Sequence, residues 1–171
     1  MRKFMGDLNG SANKVQLVLN RFGLKFQVIE LLESTRTAKE AADAIGCELG
    51  QIAKSLIFQS CFSQTPICFI ASGSNNIDEK KFDNLLGEGI KKANADFVAK
   101  HTGYAIGGIP PVGHVTPMRT FIDEDLFSYS EIWAAAGTPH AVFKLTPNDL
   151  VKITQGVVVP IKTNMIKATM R

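Results

Sequence analysis

The chain has 171 residues, 45% of them hydrophobic and 20% charged, with a formal net charge of +3. That length and composition suit a single domain spanning 1–171, with its core at about 12–160 and enough apolar surface to fold unaided. No apolar run reaches the roughly 18 residues of a membrane span, and the mild positive charge permits an RNA or phosphate partner without indicating one.

The opening stretch MRKFMGDLNG is basic but has neither an apolar h-region nor a cleavage site, so the expected compartment is the cytoplasm. Val15, Val18, Leu19 and Phe22 recur at helical spacing over 12–22, with Gly23 to close the helix. A short strand is expected over 26–31. Thr37 and Glu40 have capping-box spacing, and the helix they open ends at Gly46. A turn at 49–53 then leads into an apolar strand beginning Lys54-Ser55-Leu56, which pairs as a hairpin with 66–71.

Asp78 caps the next helix, which stops near Gly87 and carries Ile77, Phe82, Leu85 and Leu86 as its apolar face. A brief strand around Ile90 and a helix from Asn94 to His101, stopped by Gly103, follow. Then comes the loop Gly107-Gly108-Ile109-Pro110-Pro111-Val112-Gly113-His114, whose three glycines and two prolines leave few conformers and a bare backbone. Strands are expected at 118–122, 132–134 and 141–145, with a helical turn at 123–127. Thr146-Pro147 starts a last helix, Val157–Val159 is a closing strand, and 162–171 is a basic, frayed tail. Strands and helices do not alternate strictly, so the fold class is α+β, a mixed α/β domain rather than a doubly wound sheet.

Several residues carry potential chemistry. A lysine at a strand end, such as Lys54, is ordinarily a solvated side chain; its functional reading is an ammonium aimed into a cleft. The Gly/Pro loop reads equally as a rigid turn or as a backbone surface touching a ligand. His101, His114 and His140 are too scattered for a metal motif, and His101 suits the negative end of a helix. Cys47, Cys61 and Cys68 are odd in number and lack C-x-x-C spacing, against both a disulfide framework and a zinc site; Cys61 and Cys68 are expected as small buried hydrophobes. No nucleophile elbow, Walker A or dinucleotide fingerprint is present. Spacing alone leaves the function open.

Taken together, Gln51-Ile52-Ala53-Lys54-Ser55-Leu56, the G-x-x-x-P of Gly107 and Pro111, and Ala135-Ala136-Gly137 resemble the YbaK/prolyl-tRNA editing family. These are aminoacyl-tRNA deacylases related to the editing domain inserted in bacterial prolyl-tRNA synthetase. The resemblance covers about 12–160 and implies a curved mixed β-sheet approaching a barrel, surrounded by helices. It further implies that Lys54 lies near the 3′-terminal adenosine and its phosphate. Gly107 and Pro111 belong to the loop that places the ester, which Gly108 and Gly113 keep open. By the same resemblance His140 matches a pocket histidine of some members, and Thr35 and Thr37 contribute to the pocket wall.

The activity so implied is hydrolysis of misacylated tRNA, above all tRNA(Pro) carrying Ala, Ser, Thr or Cys. Its partners are the aminoacyl-tRNA acceptor end and prolyl-tRNA synthetase, with neither a membrane nor DNA, and with no metal or other cofactor. Position 110 is proline where some relatives carry a small polar residue, and 136–140 differs from the cysteine-specific members, so their substrate does not carry over. Two rivals remain open at this point: a non-catalytic tRNA- or synthetase-binding module of the same fold, and a small-molecule binding protein.

Overall fold

The structure, a computed structural model, describes residues 8–163. Its helices are α1 (Gly10–Asn20), α2 (Ala38–Ile45), α3 (Glu79–Leu86), α4 (Ala95–Thr102) and α5 (Pro147–Thr154). The strands are β1 (Val28–Glu30), β2 (Ile52–Ser60), β3 (Pro66–Ser72), β4 (Ile90–Lys92), β5 (Arg119–Asp123), β6 (Ile132–Ala135), β7 (Ala141–Leu145) and β8 (Val157–Val159). They form one mixed sheet in the order β1-β7-β6-β2-β3-β5-β8, with β4 added to β2. The expected mixed α/β architecture is the one observed.

The hairpin of β2 and β3 is the spine. It pairs antiparallel from Ala53↔Ser72 to Gln59↔Pro66, and β5 continues the sheet in parallel from β3. Side chains of alternate parity leave β3 on opposite faces, and both faces are buried. On one face Cys68 and Ile70 join Ala12, Val15 and Leu19 of α1, Val98 of α4 and Leu150 of α5. On the other, Phe69 meets Phe58, Phe82 and Phe121 at centroid separations of 5.2, 4.6 and 5.4 Å. Aromatic pairs at such spacing gain about 0.5–1.5 kcal/mol beyond area burial.

Several expectations shift in detail. α1 ends at Asn20, so Phe22 lies outside it and is exposed. β1 is only three residues long, though Phe26 ahead of it is buried against Phe143. β2 begins at Ile52, which makes Lys54 the third residue of a strand rather than its first. Leu85 points to solvent, leaving Phe82 as the fully buried residue of α3. Cys61 falls in the turn after β2 and is exposed, contrary to the buried position expected; Cys68 is fully buried, and burial pushes its thiol up to about 12. Of the basic tail, Lys162 pairs with Asp125 at 2.9 Å, and 164–171 lie outside the described residues.

Candidate functional site

β2 has a neighbour missing from one edge. β6 pairs with it only at Ile52 and Ala53, and β4 only from Phe58 to Ser60. Between them the Ala93 amide donates to the Ile57 carbonyl at 3.1 Å, and neither strand flanks Ser55. A cleft of about 220 Å³ opens at this gap, lined by Lys54, Ser55 and Leu56. Its lining also includes Thr35, Arg36 and Thr37 ahead of α2, and Gly107 and Ile109 of the Gly/Pro loop. Ala41, Ile52, Trp133, Ala134 and Val142 make the remaining wall largely apolar.

Lys54 shares its side of the strand with Ile52, which packs against α2, and with Leu56, which packs against the phenylalanine cluster. Its ammonium is half-buried and donates one long hydrogen bond, 3.4 Å, to the Gly73 carbonyl. Burial lowers its pKa from the ordinary lysine value, the nearby Lys92 charge lowers it further, and Asp123 opposes both. Among the described residues Lys54 forms none of the ion pairs. A cation desolvated in this way and so lightly partnered is available to an incoming anion or carbonyl.

The wall facing Lys54 is built by local chain chemistry. The Thr37 hydroxyl accepts the Glu40 amide at 3.1 Å and caps α2. The reciprocal arm of a capping box is not formed, because the Glu40 carboxylate accepts from the Ser34 hydroxyl at 2.6 Å instead. That bond folds 34–37 into a tight rim. Thr35 is buried, with its amide donating to the Pro139 carbonyl at 2.6 Å, yet its hydroxyl has no partner. Leaving a buried hydroxyl unsatisfied costs about 1–3 kcal/mol. The Ser55 hydroxyl is likewise without a hydrogen bond and lies toward Cys68.

Gly107 adopts φ +97°, and a Cβ there would come within 2.6 Å of Arg36 Cγ. Both the backbone conformation and the close approach require glycine at this position. Gly108 lies against the Thr138 backbone, and its carbonyl accepts the Gly137 amide at 2.8 Å, which fastens the Gly/Pro loop to the β6–β7 turn. Gly108, Pro111 and Gly113 are outside the cleft lining, whereas Gly107, Ile106 and Ile109 belong to it. His114 braces the same loop, its Nε2–H donating to the Pro110 carbonyl at 2.6 Å, and burial lowers its pKa.

His140 is exposed and outside the lining; its Nδ1–H donates to the Glu33 carbonyl at 2.9 Å, and its own carbonyl accepts the Leu31 amide. It thus ties down the segment that carries Thr35. The structure brings together Lys54, Gly107, Thr35 and Thr37, residues separated by up to 72 positions, and sets His140 one layer back. Sequence reasoning passed over Arg36, Ile52 and Trp133. Arg36 was legible from its place between two threonines already singled out; Trp133 and Ile52 were not, since only the β2–β6 register makes them neighbours.

Among the described residues no three His, Cys, Asp or Glu side chains gather as a metal site, and no helix is long and apolar enough to cross a membrane. The family described as "Aminoacyl-tRNA editing domain" matches residues 33–153, a span that includes every cleft residue named above. A Bacillus subtilis (strain 168) protein, "Uncharacterized protein YwhH", is 30% identical over 140 residues, covering 82% of this chain and 88% of that one. An Enterococcus faecalis (strain ATCC 700802 / V583) protein named "Putative Cys-tRNA(Pro)/Cys-tRNA(Cys) deacylase EbsC" is 27% identical, covering 77% and 80%. A solved structure described as "a putative trans-editing enzyme for prolyl tRNA synthetase" superimposes with TM-score 0.86 at 45% identity, over 92% of this chain and 100% of that one.

Proposed function

The chain belongs to the aminoacyl-tRNA editing domain family, and from that premise we propose that it is a deacylase of misacylated tRNA(Pro), acting in the cytoplasm. The observation that carries this reading is the convergence of one half-buried, lightly partnered cation, Lys54, and one side-chain-free backbone, Gly107, on a single small apolar cleft.

An aminoacyl ester is already activated, so its hydrolysis needs positioning and charge compensation more than a strong nucleophile. Water adds to the ester carbonyl carbon, negative charge gathers on the carbonyl oxygen, and the C–O bond to the ribose breaks. The ribose oxygen leaves with a proton, freeing the amino acid and the tRNA 3′ end. In this cleft the Lys54 ammonium offsets the developing charge, and the Gly107 backbone, held by the Arg36 stem packed on it, lines the place of the ester. The apolar wall of Ala41, Ile52, Trp133 and Val142 takes a small side chain. Discrimination by shape between side chains one methylene apart is worth roughly 1–3 kcal/mol, which suits Ala or Ser against the bulkier prolyl ring, while Thr and Cys, close to proline in volume, differ from it by ring shape and polarity.

The test is a deacylation panel on tRNA(Pro) charged separately with Ala, Ser, Thr, Cys and Pro. Release of at least one of the first four, with prolyl-tRNA(Pro) spared, is the expected result. Tight tRNA binding without turnover on any of the five would replace the enzyme by a binding module.

A further inference from the structure

Arg36 is the second cation on the cleft, and nothing described so far uses it. It precedes the N-cap of α2, is exposed, lines the same cleft as Lys54, and among the described residues forms none of the ion pairs. Its aliphatic stem lies against Gly107, close enough that a Cβ on that glycine would sit 2.6 Å from Arg36 Cγ and 3.4 Å from the Arg36 carbonyl. The absent side chain at 107 is therefore filled by the arginine stem, which anchors a long, otherwise mobile side chain at the cleft mouth. The rim beneath it is also held, by the Arg36 amide to Ser34 Oγ at 3.3 Å and by Ser34 to Glu40.

We propose that Arg36 is a positioning residue that grips the phosphodiester on the 5′ side of the terminal nucleoside while Lys54 faces the ester. This rests on the deacylase reading. A planar guanidinium suits a phosphate because its N–H groups meet two oxygens at once. The division of labour also follows from burial: Lys54 is half-buried within the cleft, whereas Arg36 is exposed at its edge, where a polyanionic strand would arrive. Ile106, half-exposed beside Gly107, offers the apolar surface for the terminal base.

The experiment compares ligands with and without that phosphate. Wild type, Arg36→Ala and Arg36→Lys are titrated with the uncharged trinucleotide CpCpA and with adenosine, and assayed on the aminoacyl esters of both. Arg36→Ala is expected to weaken CpCpA binding about tenfold and raise KM for its ester to match, with kcat little changed and adenosine unaffected. Arg36→Lys should recover part of the loss. Equal losses on both ligands, or none on either, would overturn the assignment, as would a wild type that prefers adenosine to CpCpA. A thermal melt of each variant separates these outcomes from misfolding. Should wild type bind CpCpA yet hydrolyse no ester, the deacylase reading falls while the binding arm still decides the role of Arg36.

Discussion

The two ends of β2 are built for opposite purposes. At its C-terminal end Phe58 is closed in by β3 on one side and β4 on the other, and it joins a cluster of four phenylalanines with no polar side chain among them. Toward its other end, just past the two residues that β6 covers, the same strand has β3 on one side and a gap on the other, and it carries a half-buried ammonium and a hydroxyl without a partner. One end has its groups packed and paired; the other leaves a hydroxyl unpaired and an ammonium lightly partnered. Proteins store unmet polar groups where binding will meet them, and offset the cost by packing elsewhere.

The contrast is broken most directly at its stable end. Phe69→Ala removes the ring shared by Phe58, Phe82 and Phe121, and should lower unfolding stability by about 3–5 kcal/mol in urea titration. A loss below about 1 kcal/mol would mean the cluster is not the anchor of the sheet. At the other end the order of effects reverses. Lys54→Met should lower kcat/KM by about 100-fold while the melting temperature holds or rises, since the change removes a cation that burial disfavours. Full turnover by folded Lys54→Met would remove the lysine from the mechanism. Lys54→Arg should also be impaired, because a fork does not replace a compact ammonium.

The smallest effect belongs to the loop between the two regions. Burial lowers the His114 pKa from its ordinary 6.5, so on acidification the unfolded chain takes up this proton before the folded one does. The stability from this group is therefore whole above pH 6.5 and is lost as pH falls from there toward the lowered folded value. Urea midpoints of wild type and His114→Gln, measured from pH 8 to 5, should keep a constant gap above pH 6.5 that narrows below it. A gap independent of pH would mean that His114 binds its proton equally in both states.

Much of the element order could be read directly, because its signals are local. Thr37, Asp78, Asn94 and Thr146 each accept an amide three residues on, and Gly46, Gly87 and Gly103 each end a helix in the left-handed region. Where an expectation slipped, a non-local contact had intervened. Glu40 was drawn from its capping role to Ser34, and Leu85, although spaced for burial, found no facing element. Cys61 resembled a strand residue, but the β2–β3 turn begins there and exposes it.

The sequence by itself determined the class of fold, the cap of nearly every helix, and the three stretches around Lys54, Gly107 and Ala136 that carry the family resemblance. Those are properties of neighbouring residues, set by φ/ψ preference, hydrogen-bonding side chains and hydrophobic spacing. Only the tertiary structure decided that β6 and β4 leave β2 uncovered between them, that Gly107 is bare because Arg36 occupies its space, and that His140 supports the wall instead of lining it. Each of these depends on strand register and on contacts between loops some 70 to 107 residues apart, a length scale on which one-dimensional periodicity carries no information.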